Sequence, residues 1–149
     1  MENVSTLESL DTNTLKLLLR NELARKQEAS QKDFLTFVKH VWPDFIEGKH
    51  HKIYAEKLNR IANGELKRLI VNMPPRHTKS EFASHLFPAF FMGRHPKAKL
   101  IQTTHTGELA IRFGRKAKNM IESTEYEKVF PDVRLAADSK AAGRWESNH

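Results

Sequence analysis

The chain has no cysteine, which excludes disulfides and thiolate metal sites. An intracellular setting is compatible with that absence. No apolar run approaches the ~20 residues needed to span a bilayer. The start, Met-Glu-Asn-Val-Ser-Thr, lacks the basic-then-apolar order of a secretory signal. His50 and His51 are adjacent, and no His-Glu-x-x-His or His-x₃-His pair is present, so zinc-site spacing is missing. The carboxylates are scattered, with no pair spaced for acid–base hydrolysis. Internal repeats and low-complexity tracts are also absent.

Acids are scarce relative to bases. Lys and Arg number 25 against 18 Asp and Glu, giving a net charge of +7. The imbalance is concentrated. Between Arg94 and Met120 stand Arg94, Lys97, Lys99, Arg112, Arg115, Lys116 and Lys118, against the single acid Glu108. Such a cluster is either a solvated helix face or a surface facing phosphates. Trp42 and Trp145 stand alone and read as packing residues. At 149 residues, one domain with a real core is the default.

The most informative stretch is Arg68 to Phe91. Leu69-Ile70-Val71 reads as a buried strand, and a punctuated loop follows from Met73 to Thr78. Lys79 and Ser80 then open a helix with apolar residues at Phe82, Leu86 and Phe90, and at Ala83, Phe87 and Phe91. Strand, tight loop, Lys-Ser and helix is the layout of a phosphate-binding loop. There the unpartnered N–H groups of a helix start face an anion. The match to G-x-x-x-x-G-K-[S/T] is partial. Met73 and Thr78 occupy the glycine positions, and a β-branched residue adopts positive φ only at a cost. Pro74 and Pro75 carry no N–H, so donors begin at Arg76. The same pattern also fits a buried strand, a Pro-Pro turn and an amphipathic helix with an exposed lysine.

The other elements follow in order. Residues 1 to about 12 look frayed. A helix is expected over Asn13 to Glu28, with Leu15, Leu18, Leu19 and Leu23 near one face. Ser30, with Asp33 three residues on, resembles the cap of a second helix carrying Phe34, Phe37, Val38 and Val41 and ending at Trp42-Pro43. A third runs to about Ala62, with Tyr54, Leu58 and Ile61 inward and Asn63-Gly64 as its stop. Pro88 predicts a kink or an early end in the helix after the loop. Lys99 to Thr104 reads as a second strand, giving a right-handed βαβ unit with parallel strands. Thr106 with Glu108 opens a further helix with Leu109, Phe113, Ala117 and Ile121 along one line, leaving Arg112, Arg115, Lys116 and Lys118 outward. A short helix around Tyr126 and a turn at Pro131 come next, and Asp132 to Asn148 shows little period.

From Arg68 to Ser80 the chain resembles the large terminase subunit of tailed bacteriophages, the ATP-driven motor that pumps DNA into the procapsid. Met-Pro-Pro-Arg-His-Thr-Lys-Ser is similar to that family's variant loop, Pro-Pro-Arg-His-Gly-Lys-Ser. Further segments fit in order: His50-His51; Phe87-Pro88-Ala89; Gly93-Arg94-His95-Pro96; Thr103-Thr104-His105 with Gly107-Glu108-Leu109-Ala110; Phe113-Gly114-Arg115-Lys116; Phe130-Pro131-Asp132-Val133; and Gly143-Arg144-Trp145-Glu146. The resemblance covers roughly residues 33 to 149. It implies an α/β, ASCE-type P-loop NTPase three-layer core with parallel strands, preceded by N-terminal helices. It divides the chain into a helical segment, 1–48, and the first part of an ATPase domain, 49–149.

The resemblance also implies ATP and Mg²⁺ as cofactors. Lys79 would contact the β- and γ-phosphates, Ser80 would ligate Mg²⁺ and Arg76 would sense γ-phosphate charge. Pro74, Pro75, His77 and Thr78 would shape the loop, and His51 and Tyr54, with His50, would line the adenine pocket. Implied partners are double-stranded DNA, a small terminase subunit, a portal and further copies in a ring, in host-cell cytoplasm. The acidic second ATPase motif, whose Asp helps hold Mg²⁺ and whose next acid activates water, does not occur between Thr104 and His149. The chain therefore reads as the N-terminal part of a longer motor, unable to turn ATP over alone. Two alternatives stay open: another P-loop enzyme such as a helicase, and a non-catalytic basic DNA-binding or adaptor module.

Overall fold

The computed structural model describes residues 11–136 and 145–149. The expected frayed N-terminus and the Gly143-Arg144 part of the resemblance lie outside them. Helix α1 spans Thr12–Lys32, α2 Phe34–Val41 and α3 Lys49–Ala62. A continuous helical run, 79–94, follows the loop. It consists of α4, Lys79–Glu81, a π-helical turn, Phe82–Leu86, and α5, Phe87–Arg94. Helix α6 is Gly107–Ile121 and α7 is Thr124–Val129. Among these elements no helix is long and apolar enough to cross a membrane.

The α/β three-layer core with parallel strands is not what the chain forms. Among the described residues there is no sheet, and the one bridge pairs Leu135 with Ser147 antiparallel. Leu69-Ile70-Val71 and Lys99 to Thr104 take no regular secondary structure, and no backbone ladder joins either to a neighbour. The apolar run is only partly buried. Leu69, Val71 and Met73 pack against the core while Ile70, 88 % exposed, points out. Alternation fixes which face a segment buries; a strand also needs a partner for its N–H and C=O groups.

The core is aromatic and helical. Phe34, Phe37 and Val38 of α2 are fully buried with Phe82, Phe90, Leu86, Tyr126 and Val129. Phe34 sits among the rings of Phe82, Phe87 and Phe90, with centroids 5.2, 5.7 and 5.4 Å away. The Tyr126 hydroxyl, deep in this cluster, donates to the Ala89 carbonyl at 3.0 Å.

Asp33 rather than Ser30 starts α2, and Ser30 is buried inside α1. The Asp33 carboxylate accepts from the Thr36 N–H at 2.7 Å, and its backbone N–H closes α1 on the Ala29 carbonyl. Asn59 of α3 completes the joint. Its amide donates to Asp33 Oδ1 at 2.8 Å while its carbonyl accepts from the Phe34 N–H at 2.8 Å. Gly64 takes φ +77, the left-handed stop expected after α3.

Helix α1 runs four residues beyond its expected end and holds the body through its last turns. Gln31 Nε2 donates to the Val129 carbonyl at 2.6 Å. Its leucines do not reach the core: Leu19 is 56 % and Leu23 66 % exposed.

Pro88 acts one turn upstream of itself. Without an N–H it cannot donate to the Ser84 carbonyl, and its ring crowds that turn. The helix responds with the π turn, in which the Phe87 N–H bonds the Phe82 carbonyl. Gln102 Nε2 then donates to the Ser84 oxygen at 3.1 Å, filling the place of the missing amide. Gln102→Ala is expected to lower stability by about 1 kcal/mol, the net value of one such bond, read as a lower urea midpoint at constant m.

Candidate phosphate-binding loop

The helical run 79–94 begins at Lys79, and two non-glycine residues with positive φ precede it, Arg76 at 64° and Thr78 at 57°. Each costs about 1–2 kcal/mol in the left-handed region. They flank His77, whose φ is not positive. A left-handed residue beside a right-handed one turns successive N–H groups toward one side, a nest suited to an anion, and Thr78 at φ 57°, ψ 9° stands so before helical Lys79. Pro74 and Pro75 contribute no donors. The first free amides are therefore those of Arg76 to Ser80, at the positive end of the run.

Lys79 Nζ lies 3.4 Å from the Met73 carbonyl, folded back across the loop. Among the described residues no carboxylate reaches it. Ser80 and Arg76 are exposed. His77 is also exposed, with its Nδ1 2.9 Å from the Pro75 carbonyl. Thus Arg76, His77, Thr78, Lys79 and Ser80 share one short turn with Pro75 at its edge.

His51 and Tyr54 approach from α3. Tyr54 is 6 % exposed, its ring stacked on Phe82 at 5.7 Å, and burial raises its hydroxyl pKa. His51 is 5 % exposed, between Phe45 at 4.8 Å and Phe82 at 5.3 Å. Its Nδ1 accepts from the Gly48 N–H at 2.8 Å and its Nε2 meets Thr78 Oγ1 at 2.6 Å. Burial holds the His51 pKa below the usual histidine range; the His50 and His77 rings push the same way and Glu47 opposes them. The His50 ring lies tilted against His51 at 3.8 Å and meets His77 edge-on at 5.5 Å, while its own Nε2 is buried without a hydrogen-bond partner.

Behind the loop a second polar group forms that the sequence did not signal. Glu81, in the first turn, takes Lys116 of α6 at 3.2 Å and lies 3.3 Å from His85 Nδ1. Lys116, expected outward on the basic face, is therefore paired. Burial depresses the His85 pKa, with Glu81 opposing and Lys116 reinforcing. Arg112 and Arg115 are exposed as expected, and Leu109, Phe113, Ala117 and Ile121 face inward to differing depths. Among the described residues no group of three or more histidines and carboxylates could hold a metal ion. Open clefts of about 330 and 410 Å³ lie along His95 to Ala98 and around Gln31, Gly93 and Phe130 to Val133; no loop residue lines either.

Comparison with known protein families, with curated proteins and with solved structures finds no match.

Proposed function

We propose that this chain is the ATP-binding portion of a DNA-packaging terminase large subunit, and that loop 73–80 seats the triphosphate of Mg²⁺-bound ATP. The observation that carries the reading is the loop itself. Arg76 and Thr78 hold left-handed backbone immediately before a helix start, beside a lysine with no carboxylate partner among the described residues. Left-handed residues at this cost are characteristic of ligand clamps, and helix-start amides with a lysine suit phosphate. The order of the sequence segments after the loop supports the motor assignment.

In this reading the Arg76–Ser80 amides hold phosphate oxygens, the Lys79 ammonium neutralises the outer phosphates and Ser80 Oγ turns toward Mg²⁺. Arg76 lies free to follow γ-phosphate charge. Exposed Arg112 and Arg115 face double-stranded DNA. The small subunit, the portal and the ring of copies belong to the complete motor. The acids that activate water are not in this chain, so binding without turnover is the activity to measure.

Calorimetric titration of ATP with Mg²⁺ tests this reading. The chain is expected to bind. Lys79→Ala is expected to bind about tenfold more weakly or worse, a loss of roughly 1.4 kcal/mol, with its thermal midpoint unchanged. Equal affinity in the two proteins, or none in either, overturns the proposal. Retention on DNA that falls steeply with salt and ignores ATP would favour a basic DNA-binding module instead.

A further inference from the structure

We propose that His51 is a positioning residue that holds Thr78 in its left-handed conformation, so that helix α3 sets the geometry of the loop. This rests on the phosphate-seat reading above and adds to it the device that lets a threonine stand where glycine is usual.

The hydrogen-bond directions follow from one fixed donor. The Gly48 amide can only donate, so His51 Nδ1 accepts at 2.8 Å and the ring proton sits on Nε2. Nε2–H therefore donates to Thr78 Oγ1 at 2.6 Å. The hydroxyl in turn donates to the His77 carbonyl at 2.7 Å. A continuous relay thus runs from the N-terminus of α3 through the imidazole into the loop. The imidazole has little freedom to move. It is nearly enclosed, with Phe45, Phe82 and His50 around it. Burial favours the neutral ring, the form in which Nδ1 can accept.

A strained β-branched residue persists only where its surroundings hold it. Thr78 has such a hold in the relay, whereas a glycine at φ 57° would need none. The hydroxyl of Thr78 and the imidazole of His51, 27 positions apart, therefore form one functional pair. Arg76, the other left-handed residue, is exposed and has no such clasp in the relay.

The test compares the full chain with His51→Ala, Thr78→Val, His51→Gln and the double variant His51→Ala/Thr78→Gly, titrated with ATP and Mg²⁺. Circular dichroism checks folding. His51→Ala and Thr78→Val are each expected to weaken binding about tenfold. The double variant is expected to recover most of that loss, because glycine adopts the turn unaided. His51→Gln, which presents an amide N–H near the same place, is expected to retain part of the affinity. A folded His51→Ala with wild-type affinity overturns the proposal, as does failure of Thr78→Gly to rescue. If the wild-type chain binds no ATP, the phosphate-seat reading fails while the clasp is still read by hydrogen exchange. The Phe82 amide, which donates to the Thr78 carbonyl at 2.9 Å, should then exchange about tenfold faster in His51→Ala, and unchanged exchange overturns the clasp.

Discussion

Phe34→Ala is expected to lower the unfolding free energy by about 3–5 kcal/mol, the range for deleting a fully buried phenyl ring. Phe34 has no exposed surface, and its ring edges meet Phe82, Phe87 and Phe90 at 5.2–5.7 Å. These neighbours belong to the helical run after the loop, whereas Phe34 belongs to the second helix. The cavity would therefore open across the joint between two parts of the chain. Neither side can close it without pulling on its own backbone. Domains of this size are stable by about 5–15 kcal/mol, so one ring accounts for a large share. Urea denaturation checks this: the midpoint should fall with m unchanged. Leu19→Ala serves as the internal control. Its side chain is 56 % exposed on α1, and the change should cost less than about 1 kcal/mol.

Gly93→Ala is the second large effect, and its sign runs against helix propensity. Alanine is favoured over glycine inside a helix by about 1 kcal/mol, and Gly93 lies within α5. A Cβ there would stand 2.5 Å from Cδ2 and Cε2 of Phe130 and 2.7 Å from its Cγ. Phe130 is itself wedged against Tyr126 at 5.3 Å, Phe37 at 6.0 Å and Phe90 at 6.3 Å, so it has no easy retreat. Overpacking of this kind costs about 1–3 kcal/mol, and the upper end is expected because three ring atoms are involved. Thermal denaturation of Gly93→Ala, Phe130→Leu and the double variant checks the cause. The double variant should be more stable than the two single losses sum to, since the smaller side chain makes room.

The local signals in the sequence were legible where one residue type enforces one conformation. Asn63-Gly64 ended α3, and Trp42 before Pro43 ended α2. Thr106 capped α6 by accepting from the Leu109 N–H. What depended on a distant partner was not legible. Leu69-Ile70-Val71 is an apolar run such as a buried strand carries, yet a run of that kind says nothing about whether a neighbouring strand exists. The leucines of α1 repeat as a buried face would, yet the body lies on the side of Ser30, Gln27 and Gln31. Ser30 fits a cap, yet Asp33 caps α2 and is held there by Asn59, 26 residues further on.

The loop shows the same division. Lys79, Ser80 and the two prolines could be placed in a turn before a helix from their order alone. The positive φ of Thr78 could be suspected from the glycine it replaces, but its clasp on His51 could not. The Glu81–Lys116 pair was hidden because α6 faces the loop helix only after folding. Pro88 was the one clue of a different kind. A proline inside a helix leaves an acceptor four residues back without its amide, so a donor from elsewhere is called for. Reading that rule forward would have pointed to Ser84 as a docking point, though not to Gln102 as its occupant.

The first helix is built as a cantilever. Its root is set in the body near Gln31, while Leu15 stands about 24 Å away along the axis at 1.5 Å per residue. Turns that bury nothing draw only on backbone bonds and intrinsic propensity, which are marginal for a short isolated helix. Warming therefore erodes this helix from Thr12 inward while the aromatic centre is still intact. Circular dichroism on warming is expected to show an early, shallow loss of helix before the main transition, with the border near Ser30.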